Sequence, residues 1–234
     1  MVKPQVVTIG ISGASCSGKT TLALLLKKLL KNVITINQDE FYKPDELIPK
    51  DEETGLANWD SPAAVDFDRL NEAILRAKAD PFQLLTQPEK PLQNNHHGSD
   101  LLSLQDFCHL YDSLDNLKDI VFVIVEGFLL FCDQRVCSNL DNKFFCNASK
   151  EVLKERRESR DGYVTLQGYW VDPPGYFDQI VWPQFLKWNR HILDSEQRGP
   201  DVLLIPTDTT SAKDMTSFAI HVLEKKYAAC NGFS

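Results

Sequence analysis

Residues 10–30 read GISGASCSGKTTLALLLKKLL, and residues 13–20 within them (GASCSGKT) fit the pattern GxxxxGK[ST]. Small residues allow successive backbone N–H groups to turn inward, and the helix that follows adds its positive N-terminal end. Such a loop holds the phosphates of a nucleoside triphosphate, with the lysine on the terminal phosphate oxygens and the hydroxyl on Mg²⁺. The pattern predicts a phosphate-binding loop made of Gly13, Ala14, Ser15, Cys16, Ser17, Gly18, Lys19, Thr20 and Thr21.

The segments around this loop predict a parallel sheet. Short runs rich in β-branched and aromatic residues occur at 6–12, 33–37, 120–127, 143–148 and 201–206. Because these runs are apolar throughout instead of alternating, we expect strands that are buried on both faces. Residues 10–13 do not complete a GxGxxG pattern, so the strand–loop–helix unit is not typical of dinucleotide binding.

Helical patterns lie between or after these runs, at 20–31, 149–160, 176–193 and 212–228. Alternating strands and helices predict the α/β class, with helices flanking the sheet and right-handed crossovers. The interval 38–119 is too long for one crossover, so we expect an inserted helical region there. Ser61 and Pro62 predict the N-cap and first turn of one of its helices.

Length and composition limit the possible classes of protein. A chain of 234 residues suits one domain. The net charge of −8 argues against bulk nucleic-acid binding, and no apolar run reaches the ~18 residues that a membrane span needs. Six cysteines without a CxxC pair favour reduced thiols, and no secretory signal is evident, so we expect a cytoplasmic protein.

Carboxylates follow two of the predicted strands. Asp39 comes just after the run 33–37, and Glu126 ends the run 120–127. Ligands of doubly wound sheets bind at this edge, where Asp39 can orient an acceptor hydroxyl and take its proton. Glu126 is placed to reach Mg²⁺. The alternatives are a solvated acidic turn for Asp39 and a helix cap or a structural hydrogen bond for Glu126.

Three arginines occur in the run KEVLKERRESRDGY. On a helix, Arg156 and Arg160 would share a face, while Arg157 would lie about 100° away from Arg156. Arg156 and Arg160 are therefore candidates for gripping a triphosphate, with Arg157 directed towards an acceptor. An exposed helix of mixed charge is the alternative.

Several segments occur in an order that resembles the nicotinamide riboside kinases, within the wider uridine-kinase-like group. They are the phosphate loop, QDEFYKP, NWDSP, VEGFLLF, ERRESR and DPPGYFDQIVWP, and the similarity runs from about residue 6 to residue 192. The phosphate loop is common to many enzymes. The other segments are typical of nucleoside-type kinases, and the last one restricts the resemblance to a smaller group among these kinases.

The resemblance implies a P-loop kinase fold with a five-stranded parallel sheet, an acceptor-binding insertion at about 38–119 and a lid at about 154–174. It implies that ATP, with Mg²⁺, phosphorylates the 5′-hydroxyl of nicotinamide riboside, and that nicotinic acid riboside is a possible second acceptor. The oligomeric state would be a monomer or weak homo-oligomer. The expected partners are small molecules.

The resemblance also implies roles for individual residues. Asp39 and Lys19 would be catalytic, Arg156 and Arg160 would contact ATP, and Mg²⁺ would be held by Thr20, Asp39 and Glu126. The expected acceptor-binding residues are Asp39, Glu40, Phe41, Tyr42, Trp59, Asp60, Arg157 and Tyr163.

Nicotinamide riboside carries a cationic ring, which electron-rich aromatic faces attract. Trp59 beside Asp60 suits such a ring, and packing in the core is the alternative for this tryptophan. The segment after the arginines leaves open whether Tyr163, Tyr169 or Trp170 covers the ring. Two other functions remain open, a uridine/cytidine-type kinase and a nucleotide-binding switch, although the chain has no NKxD-type guanine-reading motif.

Overall fold

Five parallel strands form the central sheet of the protein, for which a computed structural model describes residues 4–86, 102–103, 106, 114–160, 162–165 and 168–227. The sheet order is β2-β3-β1-β4-β7, and all four pairings are parallel. A separate antiparallel ribbon joins β5 and β6. The strands are β1 (Val6–Gly13), β2 (Asn32–Asn37), β3 (Val121–Glu126), β4 (Asn142–Asn147), β5 (Tyr163–Thr165), β6 (Gly168–Trp170) and β7 (Val202–Pro206). The predicted parallel sheet is confirmed.

The helices of the described residues are α1 (Lys19–Leu29), α2 (Phe67–Ala79), α3 (Pro81–Leu85), α4 (Gln134–Ser138), α5 (Lys150–Glu158), α6 (Trp182–Leu193) and α7 (Ala212–Tyr227). The helices predicted at 20–31, 149–160 and 212–228 are confirmed to within a few residues, although residue 228 lies outside the described part. The helix predicted at 176–193 begins instead with a π-helical turn, Phe177–Val181. Pro183 has no N–H for the i−4 bond, which disfavours regular α-helical bonding through this point.

Successive side chains of β3 point to opposite faces of the sheet, and the core accordingly has two layers. Val121, Val123 and Val125 face one layer, and Phe122 and Ile124 face the other. The layer with the valines also contains apolar side chains of α2, α5 and α6, and the opposite layer contains those of α1 and α7. Covering of both faces explains why the strands are apolar throughout.

The predicted start of the helix in the insertion is wrong. Ser61 caps only a 3₁₀ turn, Pro62–Ala64. Helix α2 begins at Phe67, where the Asp66 carboxylate accepts a hydrogen bond from the Arg69 N–H at 3.1 Å. The helical conformation is interrupted between them because Val65 is extended and pairs with Tyr42 in an antiparallel bridge.

Among the described residues, no helix combines the length and the apolar character that crossing a membrane requires.

Candidate active site

The phosphate loop, residues 13–20, joins β1 to α1 and contains three residues with positive φ: Gly13 (137°), Cys16 (65°) and Gly18 (90°). Gly13 is needed for space as well as for conformation, because a Cβ atom there would lie 2.0 Å from the Cys146 carbonyl oxygen. The loop is therefore held against β4 while its backbone turns towards the carboxyl edge of the sheet. This is the arrangement that a phosphate cradle requires.

Lys19 and Thr20, at the end of the phosphate loop, point to different partners. The Lys19 ammonium group donates to the Ala14 carbonyl at 2.8 Å, which folds the side chain back along the loop. The Thr20 side chain lies near the Glu126 carboxylate and lowers its pKa. Glu126 Oε2 is buried and has no hydrogen-bond partner among the described residues, and burial raises the pKa of this carboxyl to about 7.

Strand register brings the two predicted carboxylates to one edge. Glu126 lies opposite Ile11 of β1 and Asn37 of β2, and Asp39 follows in the 3₁₀ turn Gln38–Phe41, where its N–H donates to Asn37 Oδ1 at 3.0 Å. Gln38 anchors this turn by accepting from the Leu129 N–H at 3.0 Å.

Asp39 is exposed at this edge and is affected by charges on two sides. Desolvation by the surrounding protein raises the pKa of Asp39, while the positive charges of Lys19, Arg157 and Arg160 lower it. The carboxylate is thus electrostatically coupled both to the phosphate loop and to the arginines of the lid region. A general base needs this kind of position between donor and acceptor.

Arg156 and Arg157 point to different partners, as predicted, but the predicted helical face shared by Arg156 and Arg160 is wrong. Arg156 donates to the Cys16 carbonyl at 3.4 Å and to the Thr207 carbonyl at 2.9 Å, so it lies against the phosphate loop. Arg157 is turned away and pairs with Asp172. Helix α5 ends at Glu158, so Arg160 lies beyond its end and does not share a helical face with Arg156.

Four aromatic rings form a cluster, which we call the aromatic cluster, beside Asp39 and Asp60. The ring centroids of Tyr42 and Trp59 are 5.3 Å apart, and those of Trp59 and Trp170 are 6.0 Å apart. Tyr176 completes the cluster at 6.0 Å from Trp170 and fixes the neighbouring loop by donating its hydroxyl to the Ala57 carbonyl at 2.8 Å. Trp59 and Trp170 pack edge to face, and Trp59 Nε1 is buried without a hydrogen-bond partner among the described residues.

Of the candidates for covering the ring, Trp170 is the one that the structure brings into contact with Trp59. Tyr169 is 62% exposed, and the side chain of Tyr163 lies outside the described part. The other two predicted acceptor-binding residues to be located are Phe41 and Glu40. The Phe41 ring packs on the core with the Arg69 guanidinium 5.8 Å above it, and Glu40 adds a negative charge near Asp39.

Asp60 follows Trp59 and carries a perturbed carboxyl group. Burial raises the pKa of Asp60 to about 6, opposed by Arg157 and reinforced by the negative charges of Asp172 and Asp39. Asp60 therefore lies in the same electrostatic environment as the predicted catalytic base. It is ionised at neutral pH and is placed to accept hydrogen bonds from hydroxyl groups.

Sequence reasoning missed Asp172 and Tyr176, both within the segment DPPGYFD. The segment supported the resemblance, but neither residue was singled out. Tyr176 is fully buried and belongs to the aromatic cluster, and Asp172 contacts Arg157 and Trp170. The signal that was available was their position, since Asp172 lies near the end of the predicted lid and Tyr176 lies just after it.

The oxygen atoms of Thr20, Glu126 and Asp39 fit a hard divalent cation, and the unpartnered Glu126 Oε2 is an acceptor suited to that role. Within the described ranges, no group of three or more His, Cys, Asp or Glu residues is arranged to hold a metal. A site of this kind suits Mg²⁺, which keeps waters and phosphate oxygens among its ligands.

Comparisons with known proteins identify one family and several relatives that this chain resembles. A family model described as "Phosphoribulokinase / Uridine kinase family" matches residues 8–172. The chain is 36% identical over 191 residues to the nicotinamide riboside kinase of Saccharomyces cerevisiae, covering 79% of this chain and 78% of that protein. It is 30% identical over 224 residues to the nicotinamide riboside kinase of Schizosaccharomyces pombe (93% and 96% covered). It is 31% identical over 188 residues to human nicotinamide riboside kinase 1 (80% and 78% covered).

Proposed function

The chain belongs to the phosphoribulokinase/uridine kinase family, and we propose that it is a kinase that phosphorylates the 5′-hydroxyl of nicotinamide riboside to give nicotinamide mononucleotide. Relatives named nicotinamide riboside kinase from yeasts and mammals, at 30–36% identity for the yeast proteins, support this acceptor. The reaction is a phosphoryl transfer to an alcohol and belongs to NAD salvage.

One observation carries the proposal. Asp39 couples electrostatically to Lys19 of the phosphate loop and to Arg157 beside the aromatic cluster. A donor phosphate held by the loop and a riboside held by the cluster would therefore meet at this carboxylate. Phosphoryl transfer depends chiefly on positioning and on charge stabilisation, which such an arrangement supplies.

The donor side is served by the phosphate loop and two arginines. Backbone N–H groups of the loop bind the phosphates of ATP, Lys19 moves from the Ala14 carbonyl to the terminal phosphate oxygens, and Arg156 and Arg160 neutralise further charge. Thr20, Asp39 and Glu126 would hold the Mg²⁺ that accompanies ATP, and that ion would neutralise phosphate charge.

The acceptor side is served by the insertion and by the lid region. Asp60 accepts hydrogen bonds from the ribose hydroxyls, Arg157 contacts the riboside, and Trp59 offers its face to the ring. Asp39 orients the 5′-hydroxyl and accepts its proton as the oxygen bonds to the γ-phosphorus of ATP, while the bond from that phosphorus to the β-phosphate oxygen breaks and ADP leaves. Tyr42, Glu40, Phe41 and Tyr163 complete the proposed acceptor-binding set.

A panel of ribosides tests the proposal. Purified protein is incubated with ATP and Mg²⁺, with and without nicotinamide riboside, nicotinic acid riboside, uridine or cytidine, and both ADP release and product mass are measured. We expect ADP to form only with an acceptor and the main product to be nicotinamide mononucleotide. A preference for uridine would overturn the acceptor assignment, and slow hydrolysis independent of any acceptor would indicate a nucleotide-binding switch.

Compartment and assembly are part of the proposal. The four cysteines of the described residues, Cys16, Cys132, Cys137 and Cys146, are free thiols, which suits a reducing compartment such as the cytoplasm. A monomer or weak homo-oligomer is expected, and light scattering at several protein concentrations tests this expectation.

A further inference from the structure

Arg157 and Asp172 form a bidentate ion pair in the lid region. Arg157 Nε donates to Asp172 Oδ2 at 2.5 Å, and Arg157 Nη2 donates to Asp172 Oδ1 at 3.0 Å. The two side chains are only 9% and 23% exposed. A parallel, charge-assisted pair that is shielded from water fixes both groups and cancels most of their charge.

This ion pair is part of the wall of the aromatic cluster. Trp170 Nε1 donates to Asp172 Oδ1 at 2.9 Å, and the Trp170 ring contacts both Trp59 and Tyr176. The guanidinium carbon of Arg157 lies 5.9 Å from the centre of the Tyr176 ring. A ring bound in the aromatic cluster would therefore lie beside the Arg157 guanidinium group.

A cationic acceptor would meet a difficulty at this position. Arg157 carries a permanent positive charge, and nicotinamide riboside carries a second one on its ring. Two unit charges about 10 Å apart in a partly buried site would weaken binding roughly tenfold. Asp172 lies between the guanidinium and Trp170, where it removes that repulsion without removing the hydrogen-bonding capacity of Arg157.

We infer that Asp172 is a specificity-determining residue of the acceptor site: its carboxylate neutralises Arg157 and so allows a riboside with a cationic ring to bind beside an arginine. This inference rests on the proposed function, because it presupposes that the acceptor is a pyridinium riboside. Asp60 lies in the same electrostatic environment as this pair, because Arg157 lowers its pKa and Asp172 raises it.

The effect of charge can be separated from the effect of position, because the two single substitutions of this pair change the local charge in opposite directions. Asp172→Asn keeps an acceptor for Trp170 but removes the negative charge that forms the bidentate pair with the guanidinium. Arg157→Gln removes the guanidinium and leaves the carboxylate uncompensated. The double variant Arg157→Gln/Asp172→Asn is neutral at this place, as the wild-type pair is. Each is compared through the ratio of kcat/KM for nicotinamide riboside to kcat/KM for reduced, uncharged nicotinamide riboside.

We expect Asp172→Asn to lower this ratio about tenfold, Arg157→Gln to raise it, and the double variant to return it close to the wild-type value even though its rates are lower. Asp178→Asn is the matched control. It removes a carboxylate that pairs with Lys150 and Lys154 on α5, outside the aromatic cluster, and should leave the ratio unchanged. If one variant does not fold, as judged by circular dichroism, the direction of the other still tests the inference.

Equal losses for the charged and uncharged ribosides in Asp172→Asn would overturn the inference and would reduce Asp172 to a positioning residue. A ratio that stays depressed in the double variant would overturn it as well. Failure of the proposed function would be distinct from both results, since the wild-type protein would then phosphorylate neither form of nicotinamide riboside.

Discussion

The Thr20 side chain lies beside the Glu126 carboxylate, whose pKa it lowers, so the first turn of α1 meets the end of β3. Glu126 Oε2 is left buried and unpartnered among the described residues. The phosphate loop and the carboxyl edge of the sheet therefore meet at an available acceptor oxygen.

Replacing Lys19 by Ala should abolish phosphoryl transfer and leave the fold intact, because the ammonium group stabilises transition-state charge and does not pack in the core. Product formation and circular dichroism are measured together. Lys28→Ala, on the exposed outer part of α1, is the control. Wild-type kcat in Lys19→Ala would remove the assignment of the phosphate loop.

Replacing Asp39 by Ala should lower kcat by ~10²-fold or more while the affinity for ATP stays nearly constant, as expected for a positioned base. Turnover and ATP binding by calorimetry check this. Asp45→Ala, in the next 3₁₀ turn, is exposed and should behave like the wild type. Collapse of ATP binding in Asp39→Ala would instead make Asp39 chiefly a metal-site residue.

Acceptor affinity should depend on pH through Asp60. Burial raises the pKa of Asp60 to about 6, so the group is ionised at pH 7.5 and protonated at pH 5. We expect KM for nicotinamide riboside to rise as the pH falls through 6, and Asp60→Asn to have a high KM with a flatter profile. A wild-type profile in Asp60→Asn would show that another group titrates.

The same raised pKa affects stability. The folded protein binds this proton more tightly than the unfolded chain, in which an aspartate titrates near pH ~4. Asp60 therefore contributes a loss of stability as the pH rises from about 4 to about 6, and the loss persists above that range. Asp60→Asn should have a higher Tm than the wild type at pH 7.5 and a similar one at pH 4.

Replacing Trp59 by Leu should weaken binding of nicotinamide riboside by about 1–2 kcal/mol, mainly through KM, because leucine keeps apolar bulk and removes the negative face of the ring. The uncharged reduced riboside should lose less. Trp188→Leu, on α6, is the control, since its indole donates to Gln184 away from the aromatic cluster. Equal penalties for both ribosides would leave Trp59 with a role in shape alone.

Replacing Gly13 by Ala should destabilise the fold by about 2–5 kcal/mol, because the added Cβ meets the Cys146 carbonyl at 2.0 Å and the backbone φ is positive. Chemical unfolding measures the difference. Gly55→Ala is the matched control: its φ is also positive, at +70°, but nothing lies within 4 Å, so a cost of about 1 kcal/mol is expected. Equal costs would show that the close approach to β4 is tolerated.

The sequence by itself determined the parallel sheet, the phosphate loop and the order of the helices. These depend on local chemistry: apolar runs that suit two-sided burial, glycines that adopt positive φ, and a lysine and threonine at a set distance from them. The positions of Asp39 and Glu126 at one edge followed as well, because parallel strands bring their carboxyl ends together. Their roles in catalysis and metal binding remain predictions.

Only the tertiary structure decided which distant residues meet. Local cap preference favoured Ser61 as the start of a helix, but the bridge between Val65 and Tyr42 moved that start to Phe67. Spacing along the chain did not distinguish Tyr169 from Trp170 and did not single out Asp172. Which of Tyr169 and Trp170 faces Trp59 depends on the register of the β5–β6 ribbon, because a shift of one residue turns each side chain to the opposite face. That register brought Trp170 against Trp59, and the fold then placed Asp172 against Arg157.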